Sequence, residues 1–420
     1  MVGGLGHVRT DLRDATLSPP RDRTPDHLLD TDRRAGIEVV EGAARFSQMN
    51  DVFTRAGWDD RVRSKDTDGF FASYRMEAAP RRGDGFTQKD FALRNAAWLI
   101  SDIVSERAAS EGVREGFQGA IRSDTPIAPE RAALGSPEEE ASEIKSVARL
   151  FGADLVGITH LDLRWHYAER PDLRTMTPVA NDLPEGLTHV IVMGHGMDAD
   201  LVDTYPSALA GAATGREYSH EAAIVMQVAA YIRNLGYQAV ASMNDTALVI
   251  PYAIKAGLGE YGRNQMVLTP EFGPRVRFSK IFTDLPLAVD LPRDLGFKAY
   301  CAGCDICARA CPVKALPFGE PDFGEEVTKG SPSTWRGVRK WSSDAEACFG
   351  YWAKLKSDCA ICMRVCPFAR PVVNGRLRLW RAFATGRFGA AGVHLARAWE
   401  ARRGVPKRLK PSDWWARRRR

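Results

Sequence analysis

The residues whose types and spacing suggest chemistry most clearly are the cysteines, which are crowded into one short part of the chain. All eight lie between Cys301 and Cys366 in a chain of 420 residues. Disulfides that stabilise a secreted protein would be spread more widely, whereas metal ligands must converge on one place. The crowding therefore predicts a metal-binding module in the last third of the chain.

The spacing of the first cysteine run indicates the kind of metal centre. Two residues separate Cys301 from Cys304 and Cys304 from Cys307, three residues precede Cys311, and Pro312 follows. Bacterial ferredoxins have this spacing, and in those with two clusters the fourth Cys binds the other [4Fe–4S] cluster. We therefore expect a ferredoxin-like module with two [4Fe–4S] clusters.

The second run, with Cys348 upstream of it, completes both ligand sets. Pairing the two runs by pseudo-twofold symmetry leaves no cysteine unused. Zinc is the alternative, because CxxC pairs also build zinc ribbons, but one tetrahedral ion explains the first run poorly. The predicted ligands are Cys301, Cys304, Cys307 and Cys366 for cluster one and Cys311, Cys348, Cys359 and Cys362 for cluster two.

The elements that must position these ligands follow from composition and periodicity. Strands alternate with helices before the cysteines, which predicts an α/β (α+β) core. The expected strands cover 154–161, 189–194, 240–243, 266–268 and 276–282, and the expected helices cover 137–151, 221–234 with Ser219 as its cap, and 246–255. The expected regions are a flexible arm (1–35), a mostly helical part (36–135), the core (136–294), the cluster module (295–370) and a basic tail packing on the core (371–420).

Charge and hydropathy indicate where in the cell the protein is located and what kinds of partner it binds. Residues 371–420 hold fourteen Lys and Arg against two acidic residues, although the whole chain has a net charge of only +5. Such a tail would meet an anionic partner, either an acidic electron donor or the surface of the inner membrane. Charge in the tail alone is weak support for nucleic-acid binding, so none is expected. An apolar signal core is missing, so we expect a cytoplasmic protein.

Several segments outside the first cysteine run resemble a known family. They are CFGYW at 348–352, CAICMRVCPF at 359–368, GLGEYGR at 257–263, GPRVR at 273–277, FTDLPL at 282–287, an N-terminal stretch from 45 to 59 and PSDWW at 411–415. In this combination the chain resembles the cobalamin-dependent reductive dehalogenases, of the cytoplasmic, non-exported type. The likeness extends over about residues 40–415.

This resemblance implies a nitroreductase-like core that holds base-off cobalamin beside the ferredoxin-like module. It implies that Co(I) cobalamin, reduced through two [4Fe–4S] clusters, removes halide from a small organohalide, for which halogenated phenolic aromatics are the leading class. Electrons would come from an external donor such as a ferredoxin or a flavodoxin, because the chain ends without the reductase extension of the self-sufficient members.

The resemblance also implies site residues. In members that reduce tetrachloroethene a Tyr, an Asn and an Arg line the substrate site, and Tyr218, Asn244 and Arg277 stand at the matching positions. In cytoplasmic members a Lys assists the Tyr, and Lys280 is the candidate. Tyr218 would be the proton donor, and a neighbouring Arg277 or Lys280 would lower its pKa by favouring phenolate. Trp58, in the N-terminal motif, would either wall the substrate pocket or fill a core.

Two other functions share part of this pattern. Epoxyqueuosine reductase, a tRNA-modifying enzyme, also combines cobalamin with two clusters, but it carries helical repeats after the clusters, and few residues follow Cys366 here. The second is an iron–sulfur electron carrier, which would have the cluster-binding cysteines but no bound cobalamin. The cobalt content of the purified chain separates this carrier from a dehalogenase.

Overall fold

The structure is a computed structural model that describes residues 24–74, 82–110, 126–172, 175–181, 183–324 and 331–419, with only the backbone course for 105–110. Its helices are α1 (Asp26–Ala35), α2 (Val52–Trp58), α3 (Lys65–Ala72), α4 (Gln88–Ser110), α5 (Pro137–Phe151), α6 (Ala199–Val202), α7 (Ala208–Asn234), α8 (Val249–Lys255), α9 (Phe297–Ala302), α10 (Ile306–Ala310), α11 (Ala345–Leu355), α12 (Ile361–Arg364), α13 (Gly375–Ala384), α14 (Gly389–Arg403) and α15 (Pro411–Arg417). Its strands are β1 (Leu155–His160), β2 (Glu169–Asp172), β3 (Thr177–Ala180), β4 (His189–Gly196), β5 (Ala239–Ser242), β6 (Glu260–Tyr261), β7 (Val267–Leu268) and β8 (Val276–Thr283).

A four-stranded antiparallel sheet forms the centre of the core. Its strand order is β1-β4-β8-β5, and β8 pairs with both β4 and β5. Helices α5 and α7 cover one face, and α8 covers the other. The apolar run of β4 is buried because both faces of its strand are covered. The predicted α/β (α+β) class is confirmed, and so are the predicted strands of this sheet.

Helix α5 shows how local signals set an element. Ser136 and Glu139 form a capping box, Pro137 occupies the first turn, and Gly152 ends the helix in the left-handed region at φ 116°. These are the preferred residues at both ends of a helix. The expected helix over 137–151 is therefore found with the same bounds.

Helix α7 begins earlier than the sequence indicated, which changes the setting of Tyr218. Its cap is Ser207 rather than Ser219, whose hydroxyl donates to the carbonyl of Ala97 on α4 at 2.6 Å. The glycines in the first turns disguised the helix. They are needed because a Cβ at Gly215 would come within 2.3 Å of the Trp98 ring. Close packing of α4 against α7 outweighs the low helix propensity of this segment.

The N-terminal arm is structured where the structure describes it. Residues 1–23 lie outside the described residues, but Asp26–Ala35 form α1 rather than the expected flexible segment. Asp32 explains the difference: it is buried and pairs with Lys255 at 2.9 Å and Arg164 at 2.6 Å. Buried partners of opposite charge tie α1 to the core, and such pairs lie too far apart in sequence to be predicted.

The basic tail is helical and packs on the rest of the molecule. Trp380 of α13 lies in a core shared with the cluster module, and Trp414 of α15 packs near α6 and the start of α7. The indole of Trp415 donates to Asp90 on α4 at 2.9 Å. Among the helices of the described residues, none combines the length and apolar character needed to cross a bilayer.

Candidate cluster and substrate site

The eight cysteines come together in two neighbouring groups. Burial raises the pKa of the Cys366 thiol, and the charges of the first three cysteines raise it further. Burial likewise raises the pKa of Cys362, and the other three predicted ligands of cluster two act on it in the same direction. Cys307 also acts on Cys362, so the two groups adjoin. The assignment of each cysteine to one of the two clusters stays a prediction from the spacing.

The donor set suits iron–sulfur clusters. All eight cysteines are free thiols with buried or partly buried side chains, and buried thiolates are stable only when a cation compensates their charge. The backbone N–H of Ala315 points at the Cys311 sulfur at 3.3 Å, a contact that cluster ligands commonly receive. Across the described residues no three His, Cys, Asp or Glu side chains are grouped closely enough to hold a single metal ion.

Arg263 holds the first cysteine loop from the core side. Its guanidinium is buried and donates to the carbonyl oxygens of Cys301 at 2.9 Å, Cys304 at 2.8 Å and Gly319 at 2.7 Å. The planar fork of an Arg can satisfy several carbonyl groups at once, which a Lys cannot. Its cation also lies 5.0 Å from the ring centre of Trp341. Arg263 closes the GLGEYGR motif at 257–263, but the motif by itself does not indicate this role.

A large cavity lies between the core and the cluster module. Its volume is about 950 Å³, at the upper end of the usual range of small-molecule pockets, roughly 300–1,000 Å³. Tyr218 and Arg277 of the core and Trp98 of α4 line the cavity, together with Trp352 and Asp358 of the cluster module. A ligand in this cavity would therefore contact both parts of the chain.

Tyr218 and Asn244 meet in the cavity wall. The amide nitrogen of Asn244 donates to the phenol oxygen of Tyr218 at 2.7 Å, and the Tyr218 ring stacks on Trp98 with centroids 5.0 Å apart. Burial raises the pKa of Tyr218, while Arg277 and the hydrogen bond from Asn244 act in the opposite direction. Arg277 therefore acts on this pKa in the expected direction, but desolvation outweighs it and the net shift is upward.

Arg277 places a cation beside the Tyr218 ring. Its guanidinium carbon lies 5.5 Å from the ring centre, and its Nη2 reaches the Thr214 hydroxyl at 3.5 Å. Burial would lower the pKa of Arg277, but nearby acidic groups, led by Tyr218, raise it above its ordinary value. The Arg277 Nε has no hydrogen-bond partner within the described part of the chain. The cation therefore keeps a donor for a ligand or a water.

Lys280 and Trp58 lie elsewhere. Positions 277 and 280 are three positions apart on β8, an odd number, so their side chains leave opposite faces of the sheet. The Lys280 amine donates to the carbonyl oxygens of Met243 at 2.6 Å and Asp245 at 3.0 Å. The Trp58 indole donates to the carbonyl of Met49 at 3.1 Å. Neither Lys280 nor Trp58 is among the described residues that line the cavity.

Two buried acids near the cavity were missed from the sequence. Asp358 lines the cavity next to Cys359, and burial raises its pKa. Glu221 lies one turn after Tyr218 on α7, is fully buried, and has a pKa raised to about 8, chiefly by burial. Glu221 is three positions after Tyr218, and this spacing would have indicated that the two are neighbours. It does so only if both residues lie on the helix.

The cavity fits a corrinoid. Its size, its mostly aromatic and aliphatic lining and its scattered polar groups suit a broad apolar ring edged with amides. Gln48, Asn244 and Arg277 are among the polar groups of the lining that would meet such amides or a substrate. Residues from both the core and the cluster module would hold the cofactor.

Comparison with known proteins agrees with this arrangement. Residues 300–369 match the family model of the 4Fe-4S dicluster domain, and residues 181–287 match that of the reductive dehalogenase subunit. The chain is 34% identical to the tetrachloroethene reductive dehalogenase of Sulfurospirillum multivorans over 260 residues, which are 56% of this chain and 51% of that protein. The chain thus spans about half the length of the curated relatives it matches.

Solved structures show the same fold. One is the catabolic reductive dehalogenase NpRdhA in complex with 3-bromo-4-hydroxybenzoic acid, with a TM-score of 0.65, 23% identity, and coverage of 86% of this chain and 47% of that one. Another is a reductive dehalogenase for which B12-dependent dehalogenation is described, with a TM-score of 0.64, 22% identity, and coverage of 90% and 52%.

The matched segments include the Asn244 and Arg277 wall of the cavity and the whole cysteine module. Two [4Fe–4S] clusters and a corrinoid are the cofactors that this combination of domains carries. The cysteine groups, the cavity, the family models and the shared fold agree: the chain carries a segment of the reductive dehalogenase subunit family, residues 181–287, joined to a 4Fe-4S dicluster domain, residues 300–369.

Proposed function

We propose that the chain reductively removes halide from an organohalide: the carbon–halogen bond breaks, two electrons and one proton are taken up, and the dehalogenated product and the halide ion leave. The observation that carries this proposal is that Tyr218, Asn244 and Arg277 line a cavity whose lining also includes residues of the cluster module. Proton donor and electron supply thus reach one substrate from two sides.

The cofactors divide this chemistry. Cobalamin, when bound in its reduced form, supplies the electrons that break the carbon–halogen bond. We propose that cluster one is held by Cys301, Cys304, Cys307 and Cys366 and cluster two by Cys311, Cys348, Cys359 and Cys362, in line with the two groups of thiols. Such clusters reach potentials of about −400 mV or lower, as strong reductants require.

The chain's own residues would supply the proton. Tyr218 would donate its phenol proton to the substrate carbon, and Arg277 would stabilise the phenolate that remains. Asn244 would keep its hydrogen bond to the same oxygen before and after transfer. Lys280 would act as a positioning residue, because it binds the carbonyl groups on both sides of Asn244.

Aromatic halides carrying an acidic group are the substrate class that we favour. Arg277 is a buried cation in the cavity wall, and an anionic substrate would compensate its charge. The rings of Trp98 and Tyr167 in the same lining offer flat apolar surfaces for an aromatic ring. NpRdhA, which shares the fold, has been solved with a brominated hydroxybenzoic acid.

The basic tail would dock the electron donor. Arg397 on α14 donates to the carbonyl of Tyr300, the residue before Cys301, so this helix lies against the cluster-one loop. Exposed Arg402 and Arg403 on the same helix would attract an acidic ferredoxin or flavodoxin, and the same charge would favour an anionic membrane surface. The eight cysteines must be in their reduced form to take up the two clusters, and a reducing compartment keeps them so; we therefore place the enzyme in the cytoplasm.

One experiment tests the function. The chain would be produced anaerobically with cobalamin and iron, analysed for metals, and incubated under strong reductant with tetrachloroethene and, separately, with 3-bromo-4-hydroxybenzoic acid. We expect cobalt and iron in the protein and release of chloride or bromide. Cobalt-free protein that retains its clusters would instead indicate an electron carrier. Cobalt-loaded protein that releases neither halide would contradict the substrates proposed here.

A further inference from the structure

A proton donor that works repeatedly must be recharged, and Tyr218 is itself buried, with 5% of its surface exposed. Glu221 is fully buried on the same helix and does not contact the cavity. Neither of its carboxyl oxygens has a hydrogen-bond partner within the described residues. A buried polar group without a hydrogen-bond partner implies either a bound water or a functional role.

The geometry of α7 places Glu221 between Tyr218 and the surface. At 3.6 residues per turn, Glu221 lies about 40° around the helix axis from Glu217. Tyr218 lies about 100° from Glu217 in the same direction, so Glu221 falls between the two. Residues four and three apart are neighbours on a helix. Glu217 is itself buried, yet its carboxylate lies 3.8 Å from His220, whose side chain is 54% exposed. The three side chains therefore form a row from the surface to the cavity.

We propose that Glu217 and Glu221 form a proton relay that returns a proton to Tyr218 after each turnover. The inference rests on the proposed function, in which Tyr218 gives its proton to carbon. The proton would enter at the His220 side, pass to the Glu217 carboxylate, then to Glu221, and then to the Tyr218 phenolate through one internal water. Each step moves one proton and leaves the donor to be refilled from outside.

The electrostatic setting favours transfer in this direction. Burial raises the pKa of Glu217 to about 7 and that of Glu221 to about 8, and burial also raises the pKa of Tyr218 above its ordinary 10. Each group further inside therefore holds the proton more firmly than the one before it. The groups that act on Glu221 are Arg277 and Lys280 of β8, which lower its pKa, and Glu217 of α7 and Asp245 after β5, which raise it.

The test follows proton return to position 218 without any substrate. A fluorinated tyrosine placed at this position ionises in mild alkali. A stopped-flow drop in pH on the cofactor-loaded protein then reports, through phenolate absorbance, how fast the proton comes back. We expect Glu221→Gln to slow this return by about 100-fold, the lower end of what a placed acid contributes. Gln resembles the protonated Glu, so the fold should be kept.

Two further variants make the result specific. Glu217→Gln, at the outer end of the row, should also slow the return, and it tests the relay independently if Glu221→Gln does not fold. Glu140→Gln makes the same change at another buried acid, one on α5 that binds the Gly135 amide, and should leave the rate unchanged. Unchanged rates in both relay variants would overturn the relay.

The outcome is separable from the proposed function. Halide release from 3-bromo-4-hydroxybenzoic acid or tetrachloroethene by wild type, with a normal first turnover but slow later turnovers in Glu221→Gln, would support the relay in its full role. If wild type released no halide, the proposed function would fall, whereas a slowed return of the proton in Glu221→Gln would still establish the path. A first turnover slowed as much as the later ones would contradict recharging.

Discussion

The amide nitrogen of Asn244 lies 2.7 Å from the phenol oxygen of Tyr218. An amide N–H only donates, so the phenol oxygen accepts, and its own proton must point away from Asn244. The bond therefore orients the phenol as well as stabilising its conjugate base. Arg277, 5.5 Å from the ring centre, adds a charge that favours phenolate.

Removing the phenol tests its role as acid. In Tyr218→Phe we expect halide release to fall by about 100- to 10,000-fold, the usual worth of general acid catalysis. Iron and cobalt contents should stay at the wild-type level, because no cysteine is touched. Tyr231→Phe, at the exposed end of the same helix, is the matched control. Full turnover in Tyr218→Phe with both cofactors bound would refute the proton donor.

Removing the amide tests the orientation. Asn244→Ala deletes a hydrogen bond that lowers the pKa of Tyr218, so that pKa should rise further in the variant. Hydrogen bonds to charged groups are worth about 1.5–3 kcal/mol, and the ratio kcat/KM should fall by roughly 10- to 150-fold. Steady-state halide release across pH measures both effects. A value of kcat/KM equal to that of wild type would show that Asn244 is dispensable.

Glu221→Gln should stabilise the protein in a pH-dependent way. The folded pKa is about 8 and the ordinary value is 4.5, so between these values the unfolded chain has lost a proton that the folded chain keeps. The stability of wild type therefore falls as pH rises from 4.5 to about 8, by at most about 1.4 kcal/mol per pH unit. Gln has no such cost.

Urea unfolding of wild type and Glu221→Gln from pH 4 to pH 9 measures this difference. The gap in unfolding free energy should open above pH 4.5 in favour of the variant and become constant above about pH 8. A gap that is independent of pH would mean that Glu221 is ionised in the folded protein.

Arg263→Lys should weaken cluster one. The variant keeps the charge but loses the planar set of donors that binds the carbonyl groups of Cys301, Cys304 and Gly319. We expect iron content to fall from about eight toward about four per chain, because each cluster holds four irons. Arg339→Lys, on an exposed ion pair with Glu38, is the control. Unchanged iron content and unchanged electron spin resonance of both reduced clusters would contradict the prediction.

Paired cysteine variants test the two ligand sets. Replacing Cys301 and Cys366 together by Ala should remove one cluster and leave about four irons, because both belong to cluster one. Replacing Cys311 and Cys366 together should remove nearly all iron, because each belongs to a different cluster. Iron analysis of the two purified proteins separates this assignment from one in which the second run binds a cluster by itself.

Glu221 and Lys280 are two residues whose positions relative to Tyr218 were not predicted from the sequence. A strand over 276–282 was predicted, and alternation along it already implied that Arg277 and Lys280 face opposite sides. Family likeness nevertheless suggested Lys280 as an assistant to Tyr218. Glu221 went unnoticed because Tyr218 was placed before the helix, and helical neighbours can be counted only once both residues lie on it.

The sequence by itself determined the cluster chemistry, because ligand spacing is a local property that one short segment carries completely. It also determined helices with strong caps, such as α5, and the alternation of strands and helices in the core. Only the tertiary structure decided the start of α7, since Gly215 is helical there because Trp98 packs against it. It alone brought Tyr218, Asn244 and Arg277 into one wall, because burial and distance between remote residues arise only when the chain folds.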